Sequence, residues 1–230
     1  ENGIDLRFVR TDKVGQTRLA VILVENDGSN RIIVYPGANM RISEGDVESA
    51  FTCCPDAVMA QLESGEDVAV YASQLAADEA IPFILDGGGA RSDFRLNKLA
   101  KVDIFSPNEI ETALITGIRP DTLDDCLRAS MAICSQTDVR YVVLKLGARG
   151  CYVYDGKYCD LIAPFVVQAV DTTAAGDAFT AALATEFLRT GDITASARYA
   201  NAVGALTVTT AGAIHSLPTR ETVRRFLEQI

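Results

Sequence analysis

The chain has 230 residues, which is enough for one large domain with a sizeable buried core. Its hydrophobic content of 48% and charged content of 23% are those of a soluble globular protein. The formal net charge of −10, without any run of Lys and Arg, argues against a nucleic-acid-binding surface. No apolar run reaches the ~18 residues that a membrane span needs, so neither nucleic acid nor a membrane is an expected partner.

The six cysteines do not form a pattern typical of a zinc site. None belongs to a C-x-x-C pair, and the single histidine is His215. A reducing cytoplasm is the simplest compartment for such a chain. A hydrolase with a catalytic histidine would have to use His215, which lies in a Gly-rich loop without a nucleophile motif, so this class is disfavoured.

The predicted elements begin with a β-hairpin. Two β-rich runs, Thr17 to Val24 and Arg31 to Tyr35, flank the turn residues Asn26 to Asn30. This hairpin (17–35) does not belong to the pattern that follows it. We therefore expect it to project from the body of the protein as a small β lid.

After the hairpin, predicted strands alternate with predicted helices. Strands are predicted at 56–62, 82–85, 102–105 and 141–146, and a second hairpin at 151–154 and 157–162. Helices are predicted at 46–51, 65–80, 94–100, 108–116, 122–137 and 175–190, with further helices from there to the end. This alternation predicts an α/β fold in a single domain over residues 1–230, with a doubly wound, mostly parallel sheet covered on both faces.

The most informative stretch is Asp171 to Phe179. It places Asp171 and Asp177 at the start of an apolar helix that Gly191 ends, with small residues between them. The N–H groups of a helix N-terminus carry partial positive charge, and small side chains let an anion approach them, so the stretch predicts a phosphate cradle. Asp177 beside a bound phosphate fits a base that takes a proton from an attacking hydroxyl. The alternative is that Asp177 only accepts hydrogen bonds from helix N–H groups.

This stretch resembles the signature of the ribokinase-like family of sugar kinases, although the family more often has Gly at the position of Ala174. The resemblance implies a ribokinase-like three-layer fold and ATP-dependent phosphoryl transfer to a sugar hydroxyl. It implies that Asp177 is the catalytic base and contacts the sugar. It also implies that the phosphate cradle is formed by the backbone of Ala174, Ala175 and Gly176.

Three further segments carry the same resemblance on the nucleotide side. Asn108 and Glu111 match an Asn-x-x-Glu motif that orders Mg²⁺ waters and phosphate oxygens, although this spacing alone is better explained as a helix capping box. Asn201 aligns with a position near the adenine, or is simply a polar residue on a helix surface. A third segment matches the family's nucleotide-binding turn, although it could also be an ordinary β-turn. The resemblance implies that ATP is contacted by Lys145, Leu146, Gly147, Ala148, Arg149 and Gly150.

Two more matches concern the sugar and a cation. Glu63 matches a sugar-contacting Glu and follows a strand, where ligands of α/β sheets usually bind, although a solvated loop charge is an equal interpretation. The resemblance also implies a monovalent cation, usually K⁺, beside the cradle, where the alternative is a helix C-terminus and a turn. Its ligands, mostly through backbone carbonyl oxygens, would be Asp171, Thr173, Thr207, Thr210, Gly212 and Ser216.

The resemblance favours ribose as the acceptor, giving ribose 5-phosphate. The alternatives are fructose, a nucleoside or a sugar acid, or an inactive nucleotide-binding fragment or homologue. A Rossmann dehydrogenase is disfavoured because no G-x-G-x-x-G follows an early strand. The chain opens with Glu1, after the family's opening strand and its Gly-Gly-Lys-Gly-Ala-Asn sugar clasp, so we expect an N-terminally truncated kinase domain. By resemblance, two copies would form a homodimer through the lid.

Overall fold

The computed structural model describes residues 3–24 and 30–229. Near its start, β1 (Leu19–Val24) and β2 (Asn30–Tyr35) pair in an antiparallel sheet of their own. Several described apolar side chains of this pair are exposed, among them Leu19 and Ile33. The two predicted strands of the hairpin are thus present. Of the predicted turn between them, residues 26–29 lie outside the described residues.

The body is built on a six-stranded sheet with the order β3-β4-β5-β6-β7-β8. The first four strands are parallel, and the last two continue the sheet as antiparallel neighbours. The prediction of a mostly parallel sheet is therefore confirmed for its first four strands. The strands are β3 (Val58–Gln61), β4 (Phe83–Asp86), β5 (Lys101–Ser106), β6 (Asp138–Lys145), β7 (Cys151–Tyr154) and β8 (Cys159–Ile162).

Helices cover both faces of this sheet. They are α1 (Glu44–Phe51), α2 (Glu66–Asp78), α3 (Glu109–Thr116), α4 (Leu123–Cys134), α5 (Ala175–Thr190), α6 (Ile193–Thr207) and α7 (Arg220–Glu228). On one face, α2 and α4 pack with Leu85 and Phe105, and on the other, α5 and α6 pack with Ile84 and Ile104. Because neighbouring residues of one strand point to opposite layers, both must be apolar. Among the described residues, no helix is long and apolar enough to cross a membrane.

One predicted helix is wrong. Residues 94–100 contain only the short 3-10 turn Leu96–Lys98. Phe94, Leu96 and Leu99 are all buried, and side chains at this spacing do not share one face of an α-helix. The segment therefore follows the core as an irregular connection to β5.

The bounds of other elements shift by a few residues. The predicted helix 122–137 ends at Cys134, and β6 begins at Asp138 rather than at Tyr141. The strand is longer than its apolar run because the backbone of Asp138 pairs with Lys101 of β5. Backbone pairing at a strand end needs no apolar side chain, so the sequence pattern does not reveal it.

Candidate active site

Two cavities open at the edge of the sheet where the parallel strands end. The larger, about 810 Å³, is lined by residues that include Gln61, Asp86 and Asp177. The smaller, about 370 Å³, is lined by residues that include Lys145 and Gly176. Ligands of open α/β sheets bind in the crevice at the carboxyl ends of the strands, so this edge is the candidate site.

The start of α5 separates the two cavities. Ala174 caps the helix in a left-handed conformation (φ 62°) and gives it no side-chain hydrogen bond. In the described ranges, no acceptor receives the N–H groups of Gly176 and Asp177. Two unpaired donors at a positive helix end form a site for an anion, as the sequence predicts.

Asp177 lies exposed in the first turn of α5, facing the larger cavity. Within the described part of the chain, the donor to its carboxylate is the side-chain amide of Gln61, at 3.0 Å from Oδ1. Asp177 therefore does not serve as a cap for its own helix, which was the alternative interpretation. The other carboxylate oxygen is left for a proton donor from the cavity.

A buried carboxylate that the sequence analysis missed lies beside this pair. Asp86 ends β4 and is only 5% exposed. Its Oδ2 accepts hydrogen bonds from Lys145 Nζ at 2.5 Å and from the hydroxyl of Thr180, and its Oδ1 accepts one from the N–H of Gly88 at 2.9 Å. One signal could have revealed it: Asp86 ends an apolar strand, directly at the ligand-binding edge of the sheet.

Asp86 is followed by three glycines that keep this centre free of side chains. A Cβ atom on Gly87 would lie 2.5 Å from Glu111 Oε2, and one on Gly89 would lie 2.5 Å from the backbone N of Glu63. Gly89 also has a φ of +86°, which residues with a side chain rarely adopt. The glycine loop 87–89 thus lets the predicted site residues Glu63 and Glu111 lie close to the loop that follows Asp86.

Asn108 and Glu111 form a reciprocal capping box at the start of α3. Asn108 Oδ1 accepts from the N–H of Glu111 at 2.9 Å, and Glu111 Oε2 accepts from the N–H of Asn108 at 2.7 Å. Burial raises the pKa of the Glu111 carboxyl, and the positive charge of Lys145 partly opposes this rise. The capping box is present, and it also holds a half-buried carboxylate at the same edge of the sheet as Asp86.

Glu63 lies in the short turn Leu62–Ser64 after β3 and lines the larger cavity. Its carboxylate forms an ion pair with the guanidinium of Arg18, with Arg18 Nη2 at 2.7 Å from Oε1. Arg18 directly precedes β1, so this pair connects the β1–β2 sheet to the body of the protein. Glu63 is therefore not a freely solvated loop charge.

The predicted nucleotide-binding turn divides into two groups. Gly147, Ala148 and Gly150 line the smaller cavity. Leu146 is buried in the core, and the guanidinium of Arg149 bonds to Glu109 Oε1 and to the carbonyl oxygens of Pro120 and Asp121. The backbone of this turn faces the cavity, while these two side chains fix the turn to the body.

Asn201 also lines the smaller cavity, from α6. Its side-chain amide donates to the carbonyl oxygens of Ile162 and Ala163 at 3.1 and 3.2 Å. Because this side chain is buried, Asn201 is not a polar residue on the helix surface. Its two hydrogen bonds join the end of β8 to α6. The rest of the wall is largely apolar and includes Phe165 and Val208, which suits a flat aromatic base.

The predicted cation ligands come from two segments that meet beside the α5 start. Asp171 Oδ1 accepts from the N–H of Thr173 at 2.9 Å, and Oδ2 accepts from the N–H of Gly212 at 2.8 Å. These bonds, that of Gly212 first, lower the pKa of Asp171 to about 2. The carboxylate is therefore ionised at neutral pH and fits a cation.

The predicted ligands Thr207, Thr210, Gly212 and Ser216 lie at the end of α6 and on the segment that follows it. The Thr207 hydroxyl donates to Val203 O, the Ser216 hydroxyl donates to Ala213 O, and the N–H of Thr210 donates to Thr207 O. Gly212 turns the loop at φ +91°. In the described part of the chain, no group of three or more His, Cys, Asp or Glu side chains could hold a metal. A site of backbone carbonyl oxygens around one carboxylate remains compatible with this loop.

Comparison with known proteins decides the family. Residues 1–220 match the description pfkB family carbohydrate kinase. This chain belongs to the pfkB family of carbohydrate kinases. The resemblance drawn from the motifs is thereby confirmed.

Individual pfkB relatives match over nearly the whole chain. Ribokinase from Arabidopsis thaliana is 32% identical over 98% of this chain, and ribokinase from Haemophilus influenzae is 32% identical over 99% of it. Deoxyribokinase from Salmonella typhi is 27% identical over 98% of the chain. The chain spans 61% of the Arabidopsis protein and 74% of each of the other two.

The solved structures confirm a ribokinase-like α/β fold. The structure of Arabidopsis thaliana ribokinase complexed with ribose and ATP matches with a TM-score of 0.82 at 32% identity. The match covers 94% of this chain and 70% of that one.

Proposed function

We propose that this protein transfers the γ-phosphoryl group of ATP to a hydroxyl of a sugar, and that the sugar is ribose. One observation carries the proposal: Asp177 and the unpaired N–H groups at the start of α5 lie where a cavity for an acceptor meets a cavity for a nucleotide. A base and an anion cradle at the same helix start are what an attack by a hydroxyl on a phosphoryl group requires.

In this proposal, Asp177 accepts the proton of the sugar hydroxyl as the new O–P bond forms. The N–H groups of Gly176 and Asp177 stabilise the charge that develops on the transferring group. Lys145, which lines the nucleotide cavity, supplies a positive charge at the same place. The backbone of the 147–150 turn and the apolar wall around Phe165 bind the nucleoside.

Two cations fit the described residues. Glu111, half-buried and close to Lys145 and Asp86, would hold Mg²⁺ through water together with Asn108, and that ion would neutralise phosphate charge. Asp171, ionised and bonded to the N–H of Gly212, would be the charged ligand of K⁺. K⁺ there would hold the loop after α6 against the α5 start.

Glu63 is proposed to contact the acceptor from the wall of the larger cavity. The preference for ribose rests on the two ribokinase matches at 32% identity, and the deoxyribokinase match makes deoxyribose one rival. Fructose, a nucleoside and a sugar acid are further candidates. The lid strands, with their exposed apolar residues, are proposed to pair with a second copy of the chain.

The test is an ADP-release assay with the full-length protein, Mg²⁺-ATP and K⁺. The panel contains ribose, 2-deoxyribose, fructose, inosine and gluconate, and ³¹P NMR identifies the product. We expect the highest kcat/KM for ribose, with ribose 5-phosphate as product. Higher kcat/KM for another acceptor would overturn the choice of ribose. ATP binding without turnover of any acceptor would overturn the kinase proposal.

A further inference from the structure

We propose that Asp86 and Gln61 are positioning residues that align the base Asp177 and hold Lys145 at the phosphate end of the site. This inference rests on the proposed function, since Asp177 is the base only in that function. The observation is one hydrogen-bonded chain from Lys145 through Asp86 and Gln61 to Asp177. It runs from the nucleotide cavity to the acceptor cavity.

Asp86 cannot itself be the base, because both of its oxygens are already occupied. Oδ2 accepts from Lys145 and from the hydroxyl of Thr180, and Oδ1 accepts from the N–H of Gly88. The side chain is almost fully buried, and Lys145 compensates its charge. A buried carboxylate with this many donors is held in one position and leaves no oxygen for the acceptor hydroxyl.

Gln61 transmits the position of Asp86 to Asp177. Its Nε2 donates to Asp177 Oδ1 at 3.0 Å and lies 3.4 Å from Asp86 Oδ1. Both neighbours are carboxylate oxygens, so only the NH₂ group can face them, and this fixes the orientation of the amide. Because Oδ1 of Asp177 is held by Gln61, Oδ2 is the oxygen directed to the acceptor hydroxyl.

Asp86 also holds the ammonium group of Lys145 in place. Its ammonium lies 2.5 Å from Asp86 Oδ2 and 3.4 Å from the Thr180 hydroxyl. A Cβ atom placed on Gly176 would lie 3.7 Å from the ammonium, so the charge stands at the mouth of α5. Asp86 therefore fixes a positive charge for the phosphoryl group and a base for the hydroxyl from one point.

Other charged groups face Asp177 across the larger cavity, and they are already paired. Arg10 bonds to Asp46 at 3.0 Å, Arg41 bonds to Asp12 at 2.6 Å, and Arg18 bonds to Glu63. Nearer to Asp177, Asp86 is paired with Lys145, and the half-buried Glu111 lies within electrostatic range of both. A substitution of the neutral Gln61 breaks none of these ion pairs. A change in activity in such a variant therefore reports on the position of Asp177.

The test uses Gln61→Leu and Gln61→Glu in the full-length protein, with Gln136→Leu as the matched control. Gln136 bonds to Ala132 O on α4, away from both cavities. Gln61→Leu removes the donor that holds Asp177 Oδ1, so the carboxylate should turn away from the acceptor hydroxyl. Gln61→Glu places a like charge beside Asp177, so its loss of kcat should be larger. We expect kcat to fall ~10-fold or more in both, with KM for ATP within about twofold.

Asp86→Asn tests the anchor itself. It should lower kcat and raise KM for ATP, because it releases both Gln61 and Lys145. Should the unpaired Lys145 prevent folding, the double variant Asp86→Asn with Lys145→Met removes both buried charges and keeps the core neutral. That double variant should have a kcat ~10-fold or more below that of Lys145→Met alone, because Gln61 has lost its anchor, and equal kcat values would overturn the role of Asp86.

A second readout separates this inference from the proposed function. The orientation of the Asp177 side chain can be observed by crystallography without any substrate. We expect the carboxylate to turn away from its wild-type position in Gln61→Leu and to keep it in Gln136→Leu. An unchanged orientation with an unchanged kcat would overturn the positioning role. A displaced carboxylate in a protein that phosphorylates no sugar would overturn the proposed function alone.

Discussion

Gly87 lies so close to Glu111 that a Cβ atom on Gly87 would stand 2.5 Å from Glu111 Oε2 and 2.8 Å from the Cα of Pro107. Gly87 is buried directly after β4, and Glu111 is in the first turn of α3. The missing side chain therefore sets how near the carboxylate of the Asn108–Glu111 capping box can come to Asp86. The first prediction follows from this contact.

Gly87→Ala should destabilise the fold by about 1–3 kcal/mol, because a methyl group in this packed position must displace backbone as well as Glu111. Urea denaturation measures the change. Gly45→Ala is the matched control, since the nearest atom to a Cβ there is 3.9 Å away and Gly45 lies in α1. The control should be neutral or gain about 0.5–1 kcal/mol from helix propensity. Equal effects of the two substitutions would contradict the account of the 87–89 loop.

Ala174→Gly should stabilise the protein. Ala174 adopts φ 62° as the cap of α5, and this left-handed conformation costs a residue with a Cβ atom roughly 1–2 kcal/mol. Glycine removes this strain, less its own entropy in the unfolded chain, so we expect a gain of about 0.5–1 kcal/mol. Ala181→Gly, in the exposed middle of the same helix, should instead lose about 1 kcal/mol. A loss of stability in Ala174→Gly would refute the strained start of α5.

The cysteines should fall into two classes of reactivity. Cys53, Cys54 and Cys159 are exposed, whereas Cys126 and Cys151 are buried. Burial raises the pKa of the Cys151 thiol to about 12, so its thiolate is scarce at neutral pH. At pH 8, a thiol reagent such as DTNB should modify the three exposed cysteines quickly, and the two buried ones only in denaturant. Fast modification of Cys151 in the native protein, seen by mass spectrometry, would disagree with the packing of β7 against α6.

Asp171 should contribute to stability only while it is ionised. Its pKa in the folded protein is lowered to about 2 from the ordinary 3.8, chiefly by the N–H of Gly212. A lowered pKa means that the contribution is fully present above about pH 4 and disappears as the pH falls toward 2. In choline buffer, Asp171→Asn should therefore be less stable than wild type at pH 7, with a smaller difference near pH 2.5. A difference that does not change with pH would contradict these hydrogen bonds.

The same residue allows a test of the proposed K⁺ site. Replacing choline by K⁺ should raise the melting temperature and the turnover of the wild type, because an ion held by Asp171 ties the loop after α6 to the start of α5. Asp171→Asn should lose most of this response. A wild type that is indifferent to K⁺ would remove the cation from the proposal.

Local sequence signals predicted the elements that hold the base. Helix α5 runs from Ala175 to Thr190 as predicted, since small residues mark its start and Gly191 marks its end in a left-handed conformation. The capping box of Asn108 and Glu111 could also be predicted from the sequence, because both partners lie within one helical turn. Such features depend on residues that are neighbours in the chain.

The chain from Lys145 to Asp177 could not be predicted in this way. Asp86 meets its partners Gln61, Lys145 and Thr180 across 25, 59 and 94 positions of sequence, and only the folded sheet brings them together. The ion pair of Arg18 with Glu63, across 45 positions, has the same origin. The prediction of a helix at 94–100 was wrong for a related reason. Burial of Phe94 and Leu96 in the core decided the conformation of this segment.

The central claim is that Asp177 takes the proton of the acceptor hydroxyl, and Asp177→Asn tests it most directly. The substitution keeps size and shape but cannot accept that proton. We predict that kcat for ribose in the full-length protein falls by ~10²-fold or more, with KM for ATP nearly unchanged. Asp78→Asn, at the exposed end of α2, should keep wild-type kcat. A near-normal kcat in Asp177→Asn would contradict the account.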